Sequence, residues 1–266
     1  MEKVFKGAVF FDVDGTLISA EVGQKPTEKT LYALSVLQQK GYMVGVATGR
    51  AKCYVPEMGI PFDCYVTSNG AYAEVDGAVI CNHCFPLADL QELTAAMEEL
   101  GVGYSMEGPE KCLYSEDAAE SFTAVMREFK LKQQCFFPLQ SLEEMGANKL
   151  NLAYDEPWKY DALVERFGKK YNFAKHHHSQ SADLNMRDMN KSVGILKVVE
   201  HFHLPLDQVY AFGDGENDYE MLSAVGHGVV MGDHAARLDR LKDKMITDTV
   251  KNEGVYNGLR RLGLID

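Results

Sequence analysis

The stretch Phe10-Phe11-Asp12-Val13-Asp14-Gly15-Thr16 decides how this chain of 266 residues is read. An apolar run, Ala8-Val9-Phe10-Phe11, ends in two carboxylates two positions apart, followed by a glycine and a hydroxyl. That is the pattern of a strand closing in an acidic turn. Carboxylates at the end of an apolar strand must be paired, protonated or bound to a metal, and a hard divalent cation meets that need. On an extended segment residues i and i+2 point to the same side, so Asp12 and Asp14 are expected to face one ligand while Val13 turns to the core.

Downstream, Thr27 can cap a helix whose apolar positions Leu31, Leu34 and Leu37 recur at helical spacing until Gly41 stops it. A second apolar strand, Tyr42-Met43-Val44-Gly45-Val46-Ala47, runs into Thr48-Gly49-Arg50. Strand, helix and strand with short joints make a βαβ unit, so both strands end at the same edge of a parallel sheet. A third run, Cys64-Tyr65-Val66-Thr67-Ser68, closes at Asn69-Gly70, and Asp76-Gly77 between 71–75 and 78–81 signals a hairpin.

From Phe85 the texture changes. Helical patterns (Leu87, Leu90, Leu93, Met97, Leu100; Phe122, Val125, Met126, Phe129; Leu163, Val164, Phe167) alternate with strand-like runs at 111–115, 149–154 and 182–186. The βα texture resumes with a helix on Val193, Leu196, Val199 and Phe202, a strand Val209-Tyr210-Ala211-Phe212, and a second acidic turn, Gly213-Asp214-Gly215-Glu216-Asn217-Asp218. A strand over 228–231 and a helix through Arg237 and Leu241 follow. The division is 1–84 and 189–266 as one α/β, Rossmann-like parallel-sheet core, with 85–188 as an inserted α+β cap domain.

The charge of −12, from 27 basic against 39 acidic residues, argues against a nucleic-acid partner, which would demand a basic face. It leaves room for a small anionic substrate in a local positive pocket. A 46% hydrophobic fraction is ordinary for a globular chain, and no segment reaches membrane-span length. Glu2, Asp12 and Asp14 interrupt the first apolar run, which speaks against a signal peptide; the cytoplasm is the expected compartment. Six cysteines in a chain this long read as free thiols.

The two acidic turns lie about two hundred residues apart, yet both close strands of one sheet, and ligands of such sheets bind at the carboxyl ends of strands. Several carboxylates converging there repel unless a cation sits among them, and magnesium prefers such oxygen donors and shares itself with phosphate. Gly15, Gly49 and Gly213 let backbone amides turn toward an anion, Thr16 and Thr48 add hydroxyls, and Lys191 adds a point charge. This is equipment for phosphoryl transfer. Taken alone, Asp12 and Asp14 read equally well as an ordinary Asp-Gly turn, and Lys191 as a solvated lysine at a helix start.

In combination, Asp12-Val13-Asp14-Gly15-Thr16-Leu17, Ala47-Thr48-Gly49-Arg50, Ser68-Asn69-Gly70-Ala71, Lys191 and Gly213 to Asp218 followed by Met221-Leu222 resemble the ordered motifs of the haloacid dehalogenase-like superfamily. The resemblance is to its Cof-type phosphatases of subclass IIB, and it runs to Asn252-Glu253-Gly254-Val255. It departs at Val230, where the family usually shows alanine, and over 243–248. The resemblance implies a magnesium-dependent phosphatase of small phosphorylated metabolites, sugar phosphates foremost. Asp12 is then the nucleophile and Asp14 the acid and base; Thr48 and Lys191 hold the phosphoryl group. Asp12, Asp14 through its carbonyl, Asp214 and Asp218 are the metal group, while Thr16, Gly49, Arg50, Asn69 and Asn217 line the substrate. A phosphomutase or a non-catalytic sugar-phosphate sensor could use the same scaffold, although a sensor has no use for Asp14. Specificity is expected in cap loops around 103–111 and 174–183.

Other features have plainer readings. Cys81-Asn82-His83-Cys84 has zinc-knuckle spacing without a second pair. His176-His177-His178 suits an exposed polar turn, His201 and His203 close a helix, and Trp158 is expected to pack at the start of a cap helix. The oligomeric state is open.

Overall fold

Local sequence rules account for the first βαβ unit. In the computed structural model, which describes residues 3–116, 133–176 and 179–266, strand β1 (Gly7–Phe11) leads to helix α1 (Glu28–Gln39) and strand β2 (Tyr42–Ala47). Thr27 caps α1 by accepting from the Thr30 amide, Ala33, Leu34 and Leu37 form its buried stripe, and Gly41 leaves it at φ +85°.

The chain divides into two units, Met1–Gly49 with Pro56–Cys81 and Asn190–Asp266, and Arg50–Val55 with Asn82–Met189. In the first unit β1 pairs in parallel with β2 on one side and with β12 (Val209–Gly213) on the other. Every residue of these three strands is buried, as expected of a parallel sheet covered on both faces. β3 (Cys64–Thr67) follows β2 in parallel, and β4 (Tyr72–Val75) turns back antiparallel. β5 (Ala78–Asn82) completes that edge through Asp76 and Gly77, both at positive φ as a tight hairpin requires. β13 (His227–Val230) and β14 (Met245–Ile246) extend the sheet beyond β12.

Helix α4 (Lys191–His201) buries Lys191, Gly194, Ile195, Val198 and Val199. The stripe read from sequence is therefore out of phase, and Leu196 is exposed. A lysine and a glycine hold positions on the inner face, and neither registers as hydrophobic in a periodicity argument. Gly194 is inside because a Cβ there would press on the Val66 side chain and the Gly70 backbone. The helix expected through Arg237 and Leu241 is instead a 3-10 turn over Ala236–Arg240. Helices α5 (Tyr219–Ala224) and α6 (Gly254–Arg261) complete the unit.

The second unit is a six-stranded sheet. Its strands are β6 (Gly103–Glu107), β7 (Cys112–Tyr114), β8 (Phe136–Pro138), β9 (Lys149–Ala153), β10 (Tyr171–Lys175) and β11 (Ser181–Met186), in the order β10-β11-β9-β6-β7-β8. Tyr104, Met106, Leu113, Leu150, Leu152 and Leu184 form one core with helices α2 (Leu87–Leu100) and α3 (Pro157–Phe167). Strand alternation puts Ser105, Glu107, Lys149, Asn151, Asp183 and Asn185 on the opposite face. The supposed loops at 103–111 and 174–183 thus contain strands. Trp158, expected to pack, is 56% exposed. The helix expected at Phe122 to Phe129 lies outside the described residues.

One contact in the first unit fixes where α4 begins. Gly70 has φ +89°, and a Cβ on it would overlap the Asn190 carbonyl oxygen. Gly70→Ala is therefore expected to destabilise the protein by about 2–4 kcal/mol through combined backbone strain and overpacking. Urea unfolding checks this, and a loss below about 0.5 kcal/mol would contradict the close approach.

Candidate active site

Phe11, Val46 and Phe212 lie side by side at the ends of β1, β2 and β12. The chain leaves each strand into one of the motifs picked out above, so the fold gathers them at a single edge. Asp12 follows β1 directly, and its amide donates to the Phe212 carbonyl at 2.9 Å. Asp214 follows β12, and Asp218 returns toward it. One oxygen of each of these three carboxylates falls within 4.8 Å of the others, the sole such grouping of ligand side chains among the described residues.

Lys191 stands in the middle. Its ammonium, buried at the start of α4, donates to Asp12 Oδ1 and to Asp218 Oδ1, each at 2.5 Å. Asp218 Oδ2 accepts from the Asp214 and Gly215 amides, both at 2.8 Å, so this side chain locks the turn that carries Asp214. Thr16 Oγ1 donates to Asp214 Oδ1 at 2.8 Å. A Cβ on Gly15 would collide with the Asp214 carboxylate; only glycine lets the two acidic turns approach.

Burial pushes the Asp12 carboxyl up to about 7, with Lys191 opposing and Asp218 and Asp14 adding to the rise. Asp214 is pushed up to about 8, by burial first and then by Asp12 and Asp218, against the pull of Thr16 and Lys191. Burial works to lower Lys191, yet its two carboxylate partners prevail and raise it. When all three carboxylates are ionised they leave an excess of two negative charges over the one ammonium, and the donors are all hard oxygens. That donor set fits a divalent cation of the magnesium type, and Asp12, Asp214 and Asp218 are the residues that could hold it.

A second set of residues meets beside this one. Thr48 is buried just past β2, and its carbonyl accepts from the Asn69 amide at 3.1 Å. Asn217 Nδ2 donates to Asn69 Oδ1 at 3.1 Å, and the same Asn69 oxygen would lie 3.1 Å from a Cβ on Gly49. Ser68, Asn69 and Gly70 take φ values of 50°, 52° and 89° in succession. Two adjacent non-glycine residues in the left-handed region store strain of the kind found at functional sites.

Some expectations change. Val13 is buried but Asp14 is exposed, because residues 13–15 form a turn instead of prolonging the strand, so alternation along a strand does not describe Asp12 and Asp14. The Thr16 hydroxyl hydrogen goes to Asp214. Arg50 lies with the second unit, where Nη1 approaches the Tyr54 carbonyl at 3.5 Å. His176 belongs to more than a polar turn: it faces Asp183 at 3.4 Å, and Asp183 is joined to the buried Lys149 at 2.9 Å and through it to Glu107 at 3.2 Å. The alternation Lys149-Leu150-Asn151-Leu152 was the available signal for that polar face. His177 and His178 lie outside the described residues.

The raised carboxyls predict how protons and metal compete. Asp12 and Asp214 bind protons in the folded state above their unfolded value of 3.8. Their stabilising contribution is thus fullest below about pH 4 and is lost as pH rises through about 7 and 8. The melting temperature of metal-free protein is expected to fall from about pH 4 to about pH 8 and then level off, while the increment from excess magnesium grows from about pH 5.5 to about pH 8.5. A pH-independent increment in scanning calorimetry would exclude these carboxylates as ligands.

Comparison with known proteins gives the chain a family and a fold. The profile of the haloacid dehalogenase-like hydrolases matches residues 9–259. A hypothetical protein from Geobacillus kaustophilus HTA426 is 30% identical, with a TM-score of 0.85 over 97% of this chain and 99% of its own. The subclass IIB sugar phosphatase BT4131 shares the fold at a TM-score of 0.83 and 23% identity, over 98% of this chain and all of its own. YkrA of Bacillus subtilis (strain 168), which bears a phosphatase name, is 26% identical over 97% of this chain and 98% of its own length. A Streptococcus pyogenes protein named as a bifunctional phosphatase and peptidyl-prolyl cis-trans isomerase is 27% identical, and this chain spans 54% of it. With the family profile matching residues 9–259, nearly the whole chain, the chain belongs to the haloacid dehalogenase-like hydrolases.

Proposed function

We propose that this haloacid dehalogenase-family phosphatase hydrolyses phosphate monoesters of small metabolites, sugar phosphates among them, through a phosphoryl intermediate on Asp12. The observation that supports the reading best is the buried Lys191 bridging Asp12 and Asp218 beside Asp214. Such a cluster is expensive to bury, and anion chemistry at a divalent cation gives it a purpose.

Lys191 binds Asp12 through Oδ1, which leaves Oδ2 as the attacking oxygen. As Oδ2 bonds to phosphorus, the ester P–O bond breaks and the leaving oxygen takes a proton from Asp14. In the second step Asp14 removes a proton from water, the water oxygen bonds to phosphorus, and inorganic phosphate departs with Asp12 restored. Exposure of Asp14 suits a residue that must trade protons with water. An ammonium has three donors; two reach Asp12 and Asp218, and the third is directed to a phosphoryl oxygen together with the Thr48 hydroxyl. Asn69 and Asn217 brace one another and hold Gly49 open for the substrate. Asp12, Asp214 and the Asp14 carbonyl would hold magnesium, which when bound would supply positive charge against the phosphoryl oxygens.

Two substitutions test the roles separately. Asp12→Asn is expected to abolish phosphate release from p-nitrophenyl phosphate with magnesium present, and retained turnover would refute the nucleophile. Asp14→Asn is expected to lower steady-state turnover by about 10²–10⁴-fold. Nitrophenolate leaves without protonation, so the first step survives in that variant. Stopped-flow should then show a burst of nitrophenolate equal to the enzyme concentration, with phosphate retained on Asp12. Equal loss of burst and turnover would remove Asp14 from the second step. A panel of sugar phosphates and nucleotides then defines the substrate.

A further inference from the structure

Three of the six cysteines, all reduced, gather in the second unit. Cys53, Cys112 and Cys135 share a small cluster with Ala51, Tyr54, Phe136 and Ala153. Cys53 lies in a 3-10 turn, Lys52–Tyr54, and Cys112 opens β7 opposite Glu107 of β6. Their Sγ atoms are 3.6 Å apart. Cys135 donates its thiol to the Cys53 carbonyl at 2.7 Å.

The turn is fixed to the sheet independently of the sulfurs. Tyr54 donates to Glu107 Oε2 at 2.5 Å, and its ring stacks on Phe136 with centroids 5.6 Å apart. Tyr54 thus holds Cys53 over Cys112. A disulfide needs a sulfur separation of about 2.05 Å, and the remaining gap of about 1.5 Å is within reach of side-chain rotation.

We propose that Cys53 and Cys112 are a reversible dithiol–disulfide site, oxidised by low-molecular-weight disulfides. Exposure sets the order of events. Cys53 is partly exposed and Cys112 is buried, so a small disulfide RSSR meets Cys53 first. The Cys53 thiolate attacks one sulfur of RSSR, the RS–SR bond breaks, and the departing RS⁻ takes up a proton. Cys112 then gives up its proton and attacks Cys53 Sγ in the mixed disulfide, expelling the second RS⁻, which also leaves as RSH. Two protein thiols are oxidised by two electrons, and one RSSR becomes two RSH. Burial, with the neighbouring Cys53 and Glu107, raises the Cys112 thiol well above the usual range, so Cys112 is not the thiol that attacks RSSR and enters only once the adjacent Cys53 carries the mixed disulfide. The crosslink joins positions 59 apart and ties the Arg50–Val55 excursion to β7. It stands apart from the phosphatase reading and needs no substrate.

The test uses the reduced, full-length protein and glutathione disulfide, with acid quenching, alkylation, intact mass and peptide mapping. Titratable thiols are expected to fall from six to four, with a Cys53–Cys112 linked peptide, no glutathione retained, and full recovery in dithiothreitol. Cys112→Ser should stop at one glutathione on Cys53, whereas Cys135→Ser should still form the pair. Wild-type protein that keeps glutathione on Cys53, reacts at neither cysteine, or links Cys53 to Cys135 would overturn the proposal. Because wild-type protein alone decides the matter, misfolding of a variant does not shield it.

Discussion

A single ammonium in a dry place, that of Lys191, conditions the rest of the first unit. It is surrounded by carboxylates that repel one another, and each repulsion is answered by a particular donor. Lys191 answers Asp12 and Asp218, Thr16 answers Asp214, and the amides of Asp214 and Gly215 answer the far oxygen of Asp218. To bring the ammonium there, α4 must begin hard against the turn after β3. That is why Gly70 and Gly194, two residues without side chains, sit at the contact. The turn in turn adopts a left-handed path through Ser68 and Asn69, which sets Asn69 against Asn217. Strain in the backbone and charge in the core thus have one origin.

Much of this was legible in the sequence where one rule acts alone. Continuous apolar runs ending in acid or Thr-Gly gave β1, β2 and β12, and Asp76-Gly77 gave the hairpin. The reading failed where two demands met at one residue. α4 was mis-phased because its inner face needs a charge and a gap as well as apolar bulk. Arg50 follows Thr48-Gly49 in sequence, yet the chain leaves the first unit between Gly49 and Arg50, and no local pattern marks such a departure. Thr16 was read as a donor for the ligand because a sequence cannot show that Asp214, some two hundred positions away, already occupies its hydroxyl. Strand β6 escaped notice because its outward positions, Ser105 and Glu107, are polar and buried, a combination that hydropathy confuses with a loop, and β10 because most of its residues are exposed.

The second unit repeats the theme of buried charge in another form. Lys149 lies between Glu107 and Asp183 with Tyr54 and His176 at the margins. Burial raises the Glu107 carboxyl while Lys149 opposes the rise; for Asp183, Lys149 and His176 outweigh burial and hold it low. Replacing one partner of such a group leaves an uncompensated charge, which typically costs about 3–5 kcal/mol. The sheet therefore has two kinds of interior: an apolar one against its helices, tolerant of swaps in volume, and a polar one in which identities are interdependent.

The strand order has a consequence for how the molecule is made. β1 is made before its partner β12, which lies some two hundred residues later. At a synthesis rate of about 5–20 residues per second, the nascent chain spends roughly 10–40 s with one flank of its central strand unpaired. Phe10 and Phe11, wholly buried at the end, are exposed to the wrong neighbours during that interval. β1 can therefore acquire its full native pairing only after β12 has been made, while the strands of the second unit, which lie between them in sequence, have their partners sooner.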